Sequence, residues 1–150
     1  MKLAEALNER AAIKKRISQL SSRLMDNAKV QEGDQPAEDP EMLLQEIRYS
    51  ISELELFIYR INKTNNCTQI NSYTLNLLLA KRDTLIHYVS ILRSFLSETS
   101  RRVDRSSPRE IRICSTVDAL DLRQILDTKS KELRELDAQI QQLNWTTELL

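Results

Sequence analysis

The stretch Pro40-Glu41-Met42-Leu43-Leu44-Gln45-Glu46-Ile47-Arg48-Tyr49-Ser50-Ile51-Ser52-Glu53-Leu54-Glu55-Leu56-Phe57-Ile58-Tyr59-Arg60-Ile61 places Leu44, Ile47, Ile51, Leu54, Ile58 and Ile61 at alternating steps of three and four. At 3.6 residues per turn these side chains share one stripe of an α-helix, and the stripe must be buried against other helices. Asp39 can accept hydrogen bonds from the free N–H groups of the first turn, and Pro40 suits the first helical position because its missing donor would be unpaired anyway. At the far end Asn65-Asn66 compete with the backbone for hydrogen bonds and fray the helix. The spacing therefore predicts a helix over 40–64.

The same spacing recurs three times. Leu3, Ala6, Leu7, Ile13, Ile17, Leu20 and Leu24 predict a helix over 2–25, and Leu75, Leu78, Leu85, Val89, Leu92 and Leu96 predict one over 73–98. Leu122, Leu126, Leu133, Leu136, Ile140 and Leu143 predict a fourth over 119–146, with Asp118 and Asp121 at the end where the helix dipole favours acids. One glycine, three prolines and an aromatic share of 5% leave little turn or strand material. The expectation is an all-α single domain over 1–150, an antiparallel four-helix bundle or long helical hairpins with coiled-coil-like packing. Ile111 and Ile113 alternate with Arg112 and Cys114, which predicts a short extended segment near 110–115.

Charge is balanced overall and uneven locally. Twenty-two basic and 22 acidic residues cancel, so no global field draws the chain to nucleic acid or to an anionic membrane, and neither is expected as a partner. No apolar window approaches a bilayer span and no export signal opens the chain; a cytoplasmic protein is expected. The connection 27–39 sets Lys29 against Glu32, Asp34, Glu38 and Asp39, while Arg101, Arg102, Arg105, Arg109 and Arg112 dominate the connection after the third helix, opposed by Asp104 and Glu110. An up-down-up-down order brings these connections to the same end, where they can pair. In the alternative, the arginines bind the phosphate of a small anionic ligand or nucleotide, with Glu32 and Asp34 available to a divalent ion.

The interruptions of the stripes are further candidates. Arg10, Arg82 and Lys129 take positions where hydrophobes are expected, and Arg10, Arg82 and Glu55 fall at similar heights. A buried unpaired charge is costly, so a buried ion-pair layer that fixes helix register is expected. Asn62, Asn65, Asn144, Trp145 and Thr146 gather at the ends of the second and fourth helices, where they serve capping and packing around Trp145 or, alternatively, line a polar pocket. The third helix carries a second stripe, Leu77, Tyr88, Ile91 and Phe95, that a simple two-neighbour contact does not use. A second copy of the chain could cover it; so could the segment around Ile111 and Ile113.

Catalytic patterns are lacking. The single histidine, His87, falls on an outer helical face, Cys67 and Cys114 have no CxxC companion, and one glycine is too few for a phosphate loop. No catalytic residue, cofactor or metal is expected.

Three segments carry a family likeness: Asn27-Ala28-Lys29-Val30-Gln31-Glu32-Gly33-Asp34 with Pro36 and Pro40, Arg60-Ile61-Asn62-Lys63-Thr64-Asn65, and Leu143-Asn144-Trp145-Thr146-Thr147-Glu148-Leu149. With the opening Leu3-Ala4-Glu5-Ala6-Leu7-Asn8-Glu9-Arg10, the chain resembles along its whole length an uncharacterised family of small bacterial helical proteins, some of which bear the label septicolysin. The resemblance implies a shared purpose for the polar motifs and brings no catalytic residues; the label alone implies a cytolysin. The functional expectation is a non-enzymatic helical scaffold or interaction protein that forms a homo-oligomer, a dimer or higher.

Overall fold

A computed structural model describes residues 1–100 and 114–150. The Arg-rich connection through Arg112, and residues 110–113 of the extended segment expected near 110–115, lie outside the described residues, while Cys114 and Ser115 are described and form no strand. The fold is all-α, as expected, with α1 Leu3–Asp26, α2 Pro40–Cys67, α3 Leu75–Ser100 and α4 Ala119–Thr146. Asp39 caps α2, its side chain accepting from the Glu41 N–H, and Asp118 caps α4 by accepting from the Leu120 N–H at 2.7 Å. Between α2 and α3 the chain forms a hairpin of β1 Gln69–Ile70 and β2 Tyr73–Thr74. Asn71 enters its two-residue turn at φ 51, a conformation that asparagine tolerates better than most residues.

The chain divides into two compact units. The first, Met1–Asn76 with Gln141–Leu150, is organised by the α1–α2 hairpin. Leu3, Ala6, Ile13 and Leu20 are buried on α1; the buried line of α2 runs through Leu43, Ser50, Ile61 and Thr64. This corrects the expected stripe. Leu44, Ile51 and Ile58 are exposed, and Ile47 and Leu54 are only half-buried. The apolar sector of α2 is wider than one neighbouring helix can cover, and the side turned to α1 includes the small Ser50 instead of the larger aliphatics. Arg16 of α1 reaches Glu53 of α2 at 3.3 Å, and Arg23 grips Glu38 at the mouth of the hairpin.

The ends of the chain close this unit. The Leu3 N–H donates to the Thr147 carbonyl and the Leu149 N–H to the Met1 carbonyl, both at 2.9 Å. The Leu150 N–H donates to Thr64 Oγ1 at 3.0 Å, and that fully buried hydroxyl donates to the Arg60 carbonyl at 2.8 Å. Arg60 Nε completes the loop at the Leu150 carbonyl oxygen, 2.8 Å away. Glu148 accepts from the Met1 ammonium at 3.2 Å and from Lys2 Nζ at 2.6 Å; these bonds hold its carboxyl below the usual range.

The second unit, Leu77–Ile140, contains most of α3 and α4. Arg82 of α3 lies against Asp137 of α4, and six residues further along α3 Tyr88 lies beside Lys129, eight residues back along α4, so the two helices run antiparallel. Leu78, Leu85, Val89 and Leu92 are buried on α3; Leu122, Leu136 and Ile140 are buried on α4. Lys81 of α3 pairs with Glu132 of α4 at 3.1 Å.

Two expectations follow. Burying a full aliphatic side chain stabilises far more than half-covering one, so Ile61→Ala should cost about 2–5 kcal/mol in urea unfolding, whereas Ile51→Ala should change stability by roughly 0.5 kcal/mol or less. Glu148 is ionised more readily in the folded chain than in the unfolded one, so its contribution is fully present above about pH 4.3 and is lost as pH falls through its lowered folded value. Glu148→Gln should therefore lower the thermal midpoint at pH 6 and flatten its fall on acidification; an unchanged pH profile would contradict this role.

Candidate interaction surface

Solvent-facing apolar side chains distinguish the surface of both units. In the second unit, Leu77 is 51% exposed, Tyr88 44%, Ile91 64% and Phe95 43%. They share one face of α3 because they alternate with Leu78, Leu85, Val89 and Leu92, which turn toward the buried side. Lys81 and Thr84 complete the face between Leu77 and Tyr88, and both are exposed. Scattered apolar residues on a surface are ordinary; a stripe sustained over five turns is the pattern that a helical partner covers. In the first unit, α2 exposes Leu44, Ile51 and Ile58 along one line and Met42, Tyr49 and Leu56 along another, each at steps of seven. A shallow depression of about 280 Å³ lies beside the second line, walled by Arg16, Met42, Gln45, Glu46, Tyr49 and Ser50.

The interrupting charges stay near water. Arg82 Nη2 contacts Asp83 at 2.8 Å and its Nε lies 4.0 Å from Asp137, while Glu55 is exposed. Arg10 is half-buried. Lys129 pairs with Glu132 one turn along α4, at 2.9 Å, and the pairing raises the Lys129 pKa. Glu132 accepts from both Lys129 and Lys81, and these bonds hold its carboxyl low. The expected buried ion-pair layer is thus replaced by pairs at the hairpin margins. Long side chains can cover apolar surface with their stems and still reach water with their charged ends, which spares the desolvation penalty of a buried pair.

The polar helix-end cluster is also rearranged. Asn62 is exposed, Asn65 and Asn144 are half-buried, and Trp145 is 59% exposed, so tight packing around the indole does not occur. Thr146 Oγ1 donates back to the Gln142 carbonyl at 2.9 Å, a local helix-end bond. The side chain that gathers this region is Thr64, which is absent from the candidates that spacing and composition supply. Its signal was its position three residues after Ile61, which extends the buried line of α2 by one more turn.

The surface chemistry is that of ion pairing. Among the described residues Glu38 is also displaced, lowered by its hydrogen bond from Arg23. Cys67 and Cys114 are free and exposed, and His87 is exposed on α3. Among the described residues no group of three or more His, Cys, Asp or Glu side chains is arranged to hold a metal ion. No helix among them is long and apolar enough to cross a membrane.

Comparison with known proteins gives kinship without an activity. The chain is similar to a functionally unknown conserved protein from Corynebacterium diphtheriae, known from its crystal structure, at 41% sequence identity and a TM-score of 0.93 over 100% of this chain and 99% of that one. No curated protein matches it. The model of a family of unknown function, DUF6847, matches residues 10–149, nearly the whole length, and the chain belongs to that family.

Proposed function

We propose that this chain is a non-enzymatic helical interaction protein and that it self-associates. The observation that carries the reading is the α3 face, where Leu77, Tyr88, Ile91 and Phe95 each expose more than two fifths of their surface. Apolar area left in water is a standing cost, at about 25 cal/mol per Å², that an intermolecular contact removes. The face runs along a single helix, which suits another helix better than a small molecule. The ionisable groups fit the same reading. Glu38, Glu132 and Glu148 are all perturbed first by hydrogen bonds from their cationic partners, whereas catalytic groups are typically perturbed by desolvation in a cleft.

The anionic-ligand reading draws on Arg101, Arg102, Arg105, Arg109 and Arg112, which lie outside the described residues. The cytolysin reading draws on the septicolysin label alone, and the α3 stripe that would have to enter a bilayer is broken by Lys81 and Thr84.

Sedimentation velocity at micromolar concentration tests self-association. The wild-type chain should sediment as a dimer or larger, and Ile91→Asp should shift it to monomer without loss of helical content because Ile91 makes little contact within its own unit. A monomeric wild type at that concentration would contradict the reading.

A further inference from the structure

The exposed line of α2 belongs to a longer pattern. Leu44, Ile47, Ile51, Leu54 and Ile58 follow one another at steps of three, four, three and four, the spacing of a coiled-coil seam over two heptads. Leu44 is 39% exposed, Ile51 50% and Ile58 38%, and Ile47 and Leu54 between them are half-buried. Arg48 and Glu55 directly follow Ile47 and Leu54, so they line one rim of the seam, and both are exposed. No opposite charge lies one turn from either on α2, where Arg48 neighbours Leu44, Gln45, Ile51 and Ser52, and Glu55 neighbours Ile51, Ser52, Ile58 and Tyr59. Arg16 with Glu53 and Arg23 with Glu38 supply the ion pairs of the α1–α2 hairpin; among the described residues neither Arg48 nor Glu55 has an ionic partner. We infer that α2 is a second self-association surface, on which two copies of this chain pair antiparallel with Arg48 of each opposite Glu55 of the other.

The rim charges select the occupant, the direction and the register. In an antiparallel pair each rim of one helix faces the same rim of the other. Setting Ile51 opposite Leu54 of the second copy puts Ile47 opposite Ile58 and brings Arg48 to Glu55, and the two-fold axis returns each pair in reverse. Sliding one helix by a heptad would set Arg48 against Arg48 in one direction and Glu55 against Glu55 in the other, and like charges so placed oppose association. A parallel pair leaves both charges without partners. There the rim of Arg48 and Glu55 would meet the second copy's opposite rim, which carries Leu43 and Ser50, both buried within the unit. A surface complementary to itself is what an isologous contact requires, and α2 provides one. The contact is independent of the α3 face. Ile47 and Leu54 are already half-covered, so pairing here removes less apolar area from water and joins copies at higher concentration.

An Ile91→Asp background, in which the α3 contact is removed, isolates the α2 contact. This protein should sediment as a monomer at micromolar concentration and as a dimer at submillimolar concentration. Arg48→Glu should raise its dimer dissociation constant about tenfold, and adding Glu55→Arg should restore it. Helical content should not change, because both side chains are exposed and take no part in the ion pairs of their own hairpin. Cysteine cross-linking reads the register. With Cys67 and Cys114 replaced by serine in the same background, Ile47→Cys and Ile58→Cys proteins are prepared separately, mixed at submillimolar concentration, allowed to exchange subunits and oxidised. The mixture should give a disulfide-linked heterodimer. Either protein alone should stay unlinked, because eleven residues at 1.5 Å per residue hold identical positions about 16 Å apart along the axis, beyond the roughly 7 Å that a disulfide spans between Cα atoms. Self-linking of Ile47→Cys alone would establish a parallel seam and overturn the inference. An Ile91→Asp protein that stays monomeric at every concentration would overturn it while sparing the α3 contact, and a loss in Arg48→Glu that Glu55→Arg does not repair would overturn the register. An Ile91→Asp protein already dimeric at micromolar concentration and dissociated by Arg48→Glu would uphold the α2 contact and count against the α3 reading instead.

Discussion

The first unit depends on one buried hydroxyl. Thr64 Oγ1 donates to the carbonyl of its own helix and accepts the Leu150 N–H, so a single side chain joins the end of α2 to the end of the chain. The neighbouring backbone bonds from Leu3 to Thr147 and from Leu149 to Met1 tie the start of α1 to the same strand-like segment. A buried N–H left without a partner costs about 1–3 kcal/mol, so the segment after Thr147 gains a defined course by meeting this acceptor. Leu149 is buried in the same segment, Arg60 adds a charge-assisted bond to the Leu150 carbonyl, and Glu148 pairs with Lys2 and the Met1 ammonium. Polar residues at the helix ends thereby become structural.

A second constraint is geometric. An amphipathic helix with an apolar sector wider than about 100° presents more surface than one antiparallel neighbour can cover. On α2 the sector exceeds the α1 contact and leaves Leu44, Ile51 and Ile58 in solvent; on α3 the leucine line is buried while Tyr88, Ile91 and Phe95 are not. These residues are surplus to the hairpins that carry them. A chain selected only to fold as these hairpins would gain solubility by making them polar, and their apolar character is what the interaction reading accounts for.

Helices were legible in the sequence because their periodicity is local and repeated; Asp39 and Pro40 announced their positions through capping chemistry and Asp118 through the helix dipole, neither of which needs tertiary information. The burial of α2 was less legible. A stripe read at steps of three and four drew in Leu44, Ile51 and Ile58 and omitted Ser50 and Thr64, because hydrophobicity ranks residues while packing selects them by angle and size. The hairpin at Gln69–Thr74 escaped notice because two-residue strands carry almost no pattern and the left-handed Asn71 is visible only in the backbone. Of the candidate sites, the α3 face was readable from spacing alone. The margins chosen by Arg82 and Lys129 were not, since a long flexible cation at an inward position can leave the core by rotating about its own stem.

The central claim is that the α3 face meets a second copy in solution, and hydroxyl-radical footprinting across a dilution series tests it most directly. Tyr88 and Phe95 should be protected at high protein concentration and become reactive on dilution, while Trp145, 59% exposed, should react throughout. Equal reactivity of Tyr88, Phe95 and Trp145 at every concentration would contradict the account.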